Sequence, residues 1–491
     1  MPLRNWAGLL ILCLVTYMPI FAHLGDQLPL MLWDESRLAN NAIEMYDTGN
    51  LVVVTYDYAP EMWSTKPPFL IWMQTLSFNL FGISDLSFRL PTAIAALLTC
   101  LFIYFFSRRE LNAPWLGIIA SIVLVCSPGY IREHGTRTGD YDSMLTLFTT
   151  ISLLYFYSFI ENGGKRQFWL SVAALILGCL TKGVAGLMFL PAMVLYAIYK
   201  RKFASILKSK ELYLAMGAFA VFVIGYYLLR ERYNHGYISA VWENEIGGRY
   251  NEAKEGHGQP PGFYFRSLYL FAFKPFLPFL LLGIILIFTD KYKSFRNVGL
   301  YLLLCSLSYL IVITGSATKH SWYIMPALPL FSIIAAIPIY SACRILCHFP
   351  GLKWRFGQQI LPYVFLVLIC IGPFVEIVKY ATTPIREEGW LQGPNDAGII
   401  IQKMLVEGYP HEHRMKVVFE DLQSPLQWYM KACRLKNIPV TQLKDERELT
   451  ANDLLMVYND SVKAHMEIHY DTHVVEQRGK ATIYQVHGMT R

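Results

Sequence analysis

Ten apolar runs, each long enough to cross a lipid bilayer, constrain this sequence more than any other feature. They lie near 6–24, 88–107, 114–131, 142–160, 183–199, 211–230, 269–289, 297–314, 322–342 and 358–379. A backbone in lipid has no water to bond, so such runs form helices that satisfy their own amides. A shorter run at 167–180 pairs with 183–199 as a hairpin that turns at Thr181-Lys182-Gly183. The sequence therefore predicts an all-α polytopic membrane domain with about eleven crossings.

The distribution of charge agrees with this prediction and indicates an orientation. Charged residues are only 16% of the chain, against roughly 25% in soluble domains. Alternate loops, counted from the N-terminus, hold 16 lysines and arginines, and the much longer opposite loops hold about 10. Because basic residues concentrate in cytoplasmic loops, the N-terminus is predicted to be cytoplasmic. The net charge of +7 is thus explained by short loops and does not indicate a nucleic-acid partner.

Two domains are predicted. Residues 1–380 form the transmembrane domain, whose first outer loop, 25–87, is long enough to hold two interfacial helices that do not span the membrane. Residues 381–491 read as a small soluble α/β domain, with strands in MKVVFE, DLLMVYN and ATIYQVH and a helix near 424–435. An odd number of crossings would place this domain outside the cytoplasm.

The first outer loop carries the first candidate site residues. Trp33-Asp34-Glu35-Ser36-Arg37 opens a helical pattern that Gly49 closes. Asp34 is interpreted as an N-cap or as a carboxylate at the membrane surface that serves as general base or electrostatic partner. The two roles are compatible, since a capping carboxylate is held rigidly. Glu35 competes for either role.

A second motif in that loop is Lys66-Pro67-Pro68, which precedes an apolar helix. Proline keeps Lys66 extended and aims it near a helix N-terminus, where an anion is favoured. Lys66 is therefore a candidate phosphate contact, and a lysine that reaches to solvent is the alternative. In the next outer loop Asp140 is predicted as an N-cap, which leaves Asp142 in the first turn at the edge of the membrane.

Six short motifs connect these residues with others on the same predicted face. They are Trp33-Asp34-Glu35-x-Arg37, Lys66-Pro67-Pro68, Phe81-Gly82 with Arg89-Leu90-Pro91, Arg137-x-x-x-x-Asp142, Thr181-Lys182-Gly183, and Lys319-His320-x-x-Tyr323-Ile324-x-Pro326. In this order and spacing they resemble the integral-membrane GT-C glycosyltransferases, in particular the bacterial branch related to the lipid A aminoarabinose transferase and the protein O-mannosyltransferases. Thr65 stands where the aminoarabinose transferase has an acidic residue, which weakens the case for aminoarabinose as the sugar and for lipid A as the acceptor.

This resemblance implies transfer of a hexose or pentose, with inversion, from a polyprenyl-phosphate donor such as undecaprenyl phosphate. The acceptor would be a lipid, such as lipid A, a cell-envelope glycan or a protein, on the outer face of a bacterial inner membrane. The implied catalytic residues are Asp34, Asp142 and, as a competitor, Glu35. The implied phosphate-binding residues are Lys66, Arg37 and Lys182, with Arg249, Lys319 and Tyr323 as further candidates.

The alternative is a transporter or flippase of a lipid-linked or anionic solute. Transporters usually place their charges near mid-bilayer on broken helices and in repeated halves. Here the charges cluster at one edge of the membrane and no repeat is visible, which favours the enzyme. No cofactor or metal-binding motif is evident, although paired carboxylates would permit a divalent ion.

Overall fold

The computed structural model describes residues 5–26, 29–30, 33–132, 134–253, 256–289, 293–347, 355–383, 392–419 and 423–489. The chain forms two compact units. The membrane unit comprises Met1–Ala22, Glu61–Leu70 and Thr92–Ala381, and the loop–tail unit comprises His23–Pro60, Ile71–Pro91 and Thr382–Arg491. Most of the first outer loop is thus grouped with the C-terminal region. The division into a catalytic and an extracytoplasmic domain stays a prediction.

Within the described residues, seven helices are long and apolar enough to cross a membrane: Asp85–Glu110, Tyr141–Asn162, Lys165–Leu187, Lys210–Tyr233, Phe295–Gly315, Ser321–Cys347 and Ile360–Thr382. Phe263–Ala272 and Lys274–Ile287 meet at 89° and make an eighth if they form one bent span. Shorter apolar helices are Ala7–Ile20, Phe69–Phe81, Pro114–Val125 and Leu190–Tyr199. All eleven predicted runs lie in these helices, which confirms the polytopic helical fold. Three runs fall on the shorter helices, so the number of crossings stays a prediction.

Local breaks divide the long helices of the membrane unit into segments. The regular α-helical bounds are Asn5–Ile20, Asp85–Glu110, Pro114–Val125, Pro128–Ile131, Tyr141–Asn162, Lys165–Lys182, Leu190–Tyr199, Phe203–Leu207, Lys210–Phe219, Gly225–Tyr233, Tyr237–Val241, Gly247–Asn251, Phe263–Ser267, Leu277–Ile287, Lys293–Gly315, Leu328–Cys347 and Arg355–Thr382. Single π-helical turns join some of them, at Ala220–Ile224, Trp242–Ile246 and Leu268–Ala272. Tighter 3₁₀ turns lie at Gly183–Leu187, Lys274–Phe276 and Ser321–Ala327. Such interruptions concentrate near functional sites and strained segments.

The loop–tail unit joins the predicted loop helices to the C-terminal fold. Its helices are Trp33–Thr48, most of Phe69–Phe81, Gln392–Glu407, Ser424–Leu435 and Asp460–His469. Helix Trp33–Thr48 packs against Ser424–Leu435, where the fully buried Trp428 indole lies 5.7 Å from the Phe78 ring. The buried Asp85 carboxylate accepts hydrogen bonds from Trp428 Nε1 at 3.2 Å and from the Tyr429 hydroxyl at 2.8 Å. Both predicted non-spanning helices therefore exist, and the first is largely buried inside its unit.

Seven strands lie in this unit's described residues: β1 (Thr55–Tyr56), β2 (Ala59–Pro60), β3 (Met415–Val417), β4 (Val440–Gln442), β5 (Leu454–Val457), β6 (Tyr470–Arg478) and β7 (Ala481–Met489). β1 and β2 form a hairpin, and the others form one sheet in the order β4-β3-β5-β7-β6. β3 pairs in parallel with β4 and β5, and β7 pairs antiparallel with β5 and β6. The three predicted strands and the helix near 424–435 are confirmed. The sequence missed β4, which has only three residues, and β6, which is an exposed edge strand without apolar alternation.

Candidate active site

A buried ion pair between Asp142 and Lys182 lies at the centre of the candidate site in the membrane unit. Asp140 has the extended backbone of an N-cap (φ −82°, ψ 159°), so Asp142 falls in the first turn of Tyr141–Asn162, as predicted. The helix Lys165–Lys182 ends where Gly183 adopts φ +56°, a conformation that glycine reaches without strain. The Lys182 ammonium lies 2.7 Å from both carboxylate oxygens of Asp142. The side chains are 12% and 5% exposed, so each charge is compensated by its partner.

This pair lines a cavity of about 90 Å³ whose wall combines polar and apolar side chains. The polar lining comes from Asp142, Lys182, Glu245, Tyr250, Tyr309, Ser316, Thr318 and Tyr323. The apolar lining comes from Leu145, Val184, Ala185, Met188, Val312 and Ile313. Such a lining suits an amphiphile with a charged head and a hydrocarbon tail.

A second ion pair, between Lys66 and Glu245, borders the same cavity through its carboxylate. Lys66 Nζ lies 3.0 Å from Glu245 Oε1, and the side chains are 12% and 17% exposed. The extended segment before Lys66 is tied down by the Tyr237 hydroxyl, which donates to the Thr65 carbonyl at 2.7 Å. The helix that follows begins at Phe69, so Lys66 and both prolines of the motif precede it.

Asp140 is held by an imidazole instead of capping its own helix with its side chain. Its carboxylate lies 2.9 Å from His134 Nδ1, and the His134 ring stacks on Trp322 with centroids 3.8 Å apart. Burial alone would raise the pKa of Asp140, but the charge and hydrogen bond of His134 and the charge of Lys182 outweigh it and hold that pKa below its ordinary value. Asp140 is therefore the ionised carboxylate beside the Asp142–Lys182 pair.

The further phosphate-binding candidates of the membrane unit have different surroundings. Tyr323 lines the cavity, and the Lys182 ammonium lies 5.0 Å from the centre of its ring. Lys319 is largely buried, and its ammonium donates to the Ser316 carbonyl. The side chain of Arg249 lies outside the described part of the structure.

Arg137, the first residue of the Arg137-x-x-x-x-Asp142 motif, has a structural role that the sequence did not reveal. Its guanidinium donates to the carbonyls of Pro19 at 3.2 Å and Ala22 at 2.7 Å, and to that of Ala381 at 3.2 Å. It thereby satisfies carbonyls at the ends of two helices that would otherwise be left unbonded.

The acidic motif of the first loop lies in the loop–tail unit. Helix Trp33–Thr48 begins one residue before Asp34, so Asp34 is a half-buried residue of the first turn and not the N-cap. Glu35 is fully buried and pairs with Arg89 through two bonds, from Nε at 2.7 Å and from Nη2 at 2.9 Å. The Arg37 guanidinium lies 4.0 Å from the centre of the Tyr56 ring. Glu35 is therefore engaged in a structural ion pair with Arg89.

Sequence reasoning did not identify Glu245 as a residue of the candidate site. Glu245 was visible as one acid among several charges of the 231–268 loop, and nothing in its local pattern marks it as the partner of Lys66.

Among the described residues, no group of three or more histidine, cysteine or acidic side chains is arranged to hold a metal ion.

Comparison with known proteins bears on this arrangement. The protein-family profile "Dolichyl-phosphate-mannose-protein mannosyltransferase" matches residues 65–227. The undecaprenyl phosphate-alpha-4-amino-4-deoxy-L-arabinose arabinosyl transferase of Aeromonas salmonicida is 27% identical over 346 residues, which cover 68% of this chain and 60% of that protein. An uncharacterised protein of Aquifex aeolicus is 27% identical over 306 residues, which cover 62% of this chain and 58% of its own length. The chain thus spans less than two thirds of these relatives.

Among solved structures, ArnT from Cupriavidus metallidurans bound to undecaprenyl phosphate superposes with a TM-score of 0.67 at 16% identity, covering 97% of each chain. The chain is therefore a multi-pass membrane protein with the GT-C fold. In its motifs it resembles the ArnT-type transferases and the protein O-mannosyltransferases, as the sequence predicted.

Proposed function

We propose that this protein is an inverting glycosyltransferase that uses a polyprenyl-phosphate-linked sugar, such as an undecaprenyl-phosphate sugar, as donor. The acceptor would be a lipid, a glycan or a protein at the outer face of the membrane. The fold, the family profile and the arabinosyl transferase relative all support this class of reaction. The sugar, hexose or pentose, is left to the assay described below.

The observation that carries the proposal is the cavity that two lysine–carboxylate pairs border. A prenyl phosphate has a charged head on a hydrocarbon chain, and the mixed polar and apolar lining of this cavity offers contacts for both. An ammonium has three N–H donors, and Lys182 uses two of them on Asp142, so the third remains for a phosphate oxygen. Lys66 offers a second ammonium at the cavity edge. Charge-assisted bonds of this kind contribute about 1.5–3 kcal/mol each before desolvation.

The chemistry then needs little acid catalysis, because a phosphate is already a good leaving group. Asp34 accepts the proton of the acceptor hydroxyl or positions that group, and the acceptor oxygen attacks the anomeric carbon from the face opposite the phosphate. As the new bond forms, the bond from the anomeric carbon to the phosphate oxygen breaks and its electron pair leaves with polyprenyl phosphate. Asp142 keeps Lys182 charged and in place. Arg37, Lys319, Tyr323 and Arg249 are assigned supporting phosphate contacts.

We also propose an orientation from the distribution of basic residues. Loops rich in lysine and arginine usually face the cytoplasm, which favours an extracytoplasmic position for the candidate site and for the C-terminal region. The relatives named above favour a bacterial inner membrane.

The test uses the purified full chain in liposomes with a panel of labelled polyprenyl-phosphate sugars and candidate acceptors. Wild type is compared with Asp34→Asn and with the matched control Asp47→Asn, which alters an acid of the same helix that pairs with Arg434. We expect wild type and Asp47→Asn to transfer label and Asp34→Asn, folded by size-exclusion chromatography, to lose transfer.

Two results would contradict the proposal. If Asp34→Asn transferred label as fast as wild type, Asp34 would not be the base. If intact donor crossed the bilayer in every variant while the sugar–phosphate bond stayed whole, the protein would be a flippase instead.

A further inference from the structure

A large cleft lies at the far end of the helix that carries Asp142. Helix Tyr141–Asn162 has Asp142 in its first turn and Tyr155 in the cleft wall, thirteen residues and thus about 20 Å further along. At its end the Asn162 amide donates to Glu110 Oε2 at 2.6 Å, which ties this helix to the end of Asp85–Glu110. The cleft is therefore separate from the candidate active site and belongs to the opposite end of the membrane unit.

The cleft measures about 800 Å³ and combines aromatic walls with arginines. Phe102, Phe105 and Tyr155 line it, and the Phe102 and Tyr155 rings lie 5.1 Å apart. Arg108 and Arg109 stand at its edge. A cleft of this size and lining accommodates hydrocarbon beside an anionic group.

The charges of the cleft are unbalanced in favour of an anion. Arg109 Nε lies 3.4 Å from Glu110, whose other oxygen accepts the bond from Asn162. Arg108 is half-buried, and no carboxylate in the described part of the chain pairs with it. Within the described residues, one positive charge therefore faces the cleft without a carboxylate partner.

The expected depth of the cleft residues in the bilayer indicates that the anion is a lipid headgroup. Helix Asp85–Glu110 has 26 residues and is about 39 Å long, longer than the roughly 30 Å hydrocarbon layer. Its last turn, with Arg108 and Arg109, thus reaches the headgroup level. Phe105 and Phe102 lie about 4.5 and 9 Å deeper along the same helix, at the level of acyl chains. Phe105 is 45% exposed, so part of its ring is open to such a chain.

A neighbouring cleft adds polar groups at this face. It measures about 390 Å³ and shares Asn112 and Pro114 with the first cleft. Trp115, in its wall, has a buried indole N–H for which the described residues offer no acceptor. Arg344 also lines it. Basic residues at a helix C-terminus are expected from the helix dipole alone, but the dipole explains neither the aromatic walls nor the unpaired indole donor.

We propose that the cleft bordered by Arg108 and Arg109 binds an anionic phospholipid, with the phosphate on the arginines and an acyl chain against Phe102, Phe105 and Tyr155. The lipid occupies the leaflet opposite the candidate active site. It is distinct from the proposed sugar donor, whose phosphate binds at the other end of Tyr141–Asn162.

The test is lipid titration of the purified full chain in detergent, with native mass spectrometry to count bound molecules. The probes are phosphatidylglycerol and phosphatidylcholine of identical acyl chains. We expect tighter binding of phosphatidylglycerol. Each arginine near an anionic headgroup contributes about a fivefold effect, so Arg108→Gln should weaken binding about fivefold and Arg108→Gln/Arg109→Gln about 25-fold. The control Arg201→Gln/Lys202→Gln removes the same charge from an exposed loop and should change binding less than twofold.

Several outcomes overturn the proposal. Equal retention of the two lipids would exclude headgroup recognition, and equal weakening by the control pair would show only general electrostatic attraction. Displacement of phosphatidylglycerol by an equal concentration of inorganic phosphate would identify a phosphate site in place of a lipid site. If Arg108→Gln does not purify as a folded protein, two other variants test the proposal. Arg109→Gln changes a side chain that is 64% exposed and should weaken phosphatidylglycerol binding, whereas Arg108→Lys should retain it.

Discussion

Replacing Glu245 by glutamine should make the protein bind polyprenyl phosphate more tightly. The Glu245 carboxylate lies 3.0 Å from the Lys66 ammonium, the group that we propose to hold the donor phosphate. A phosphate can take this ammonium only if the carboxylate releases it. The change to glutamine removes the competing charge and leaves the size of the side chain unchanged.

The expected size of the effect follows from the burial of the pair. The two side chains are 12% and 17% exposed, so the interaction exceeds that of a pair in open water, but it consists of a single contact. We therefore assign it about 1 kcal/mol, the upper end of the range for exposed pairs. This corresponds to about fivefold tighter binding.

The assay is direct titration of labelled polyprenyl phosphate into the purified protein. This lipid is the product of the proposed reaction, so it cannot turn over. Glu243→Gln is the matched control, since it removes one acid from the same π-helical turn at an exposed position. A double-mutant cycle with Lys66→Ala separates a direct pair from a general charge effect. Lys66→Ala alone should weaken binding about tenfold, from the loss of roughly 1.4 kcal/mol.

The cycle also defines the refutation. If Glu245 competes for Lys66, Glu245→Gln should have no effect once Lys66 is alanine. Fivefold tighter binding in both backgrounds would mean that the lost negative charge acts at a distance. Unchanged binding in Glu245→Gln, or tightening that Glu243→Gln reproduces, would refute the idea that the Lys66 ammonium receives the phosphate.

Four further predictions concern the charged groups around the site. Asp142→Ala should destabilise the protein by about 3–5 kcal/mol in thermal unfolding, because it leaves Lys182 buried and unpaired. The double variant Asp142→Ala/Lys182→Met, which removes both charges, should be destabilised less. Arg137→Gln should lower stability by about 2 kcal/mol through lost helix caps and leave donor affinity unchanged. Glu35→Gln should likewise destabilise the protein without weakening donor binding; loss of binding in a protein of wild-type stability would restore Glu35 as a site residue. The pKa of Asp140 in the folded protein is below its ordinary value, so its carboxylate stabilises the fold above about pH 4 and loses this contribution as the pH falls through the folded pKa. The difference in the free energy of unfolding between wild type and Asp140→Asn should therefore disappear as the pH falls below about 4 and through that pKa.

The parts of the structure that were predictable from sequence are those that local rules decide. Apolar runs locate the membrane helices since no other backbone arrangement satisfies its own amides in lipid. Asp140 and Gly183 mark a helix start and a helix end through their own backbone preferences, and both marks are confirmed. These two ends place Asp142 and Lys182 at one edge of the membrane before any tertiary information is used.

The parts that were not predictable depend on pairs distant in sequence. Lys66 and Glu245 are 179 residues apart, and no local pattern could join them. Glu35 and Asp34 are neighbours in sequence, yet only the packing of their helix shows that Glu35 turns inward to Arg89. The edge strand β6 escaped notice for a related reason, since the partner β7 and not its own pattern makes it a strand.

The two ion pairs of the cavity differ in a way that suggests the order of events at the site. Lys182 and Lys66 are each only 12% exposed, and a buried ammonium without a counter-charge would be costly, so a carboxylate neutralises each of them. Asp142 holds Lys182 through two bonds of 2.7 Å, whereas Glu245 holds Lys66 through one of 3.0 Å. The second pair is the weaker one, and we therefore propose that it is the pair that an incoming donor phosphate exchanges. In that exchange one anion replaces another on Lys66, while the Asp142–Lys182 pair keeps its geometry and supplies a fixed N–H donor beside it.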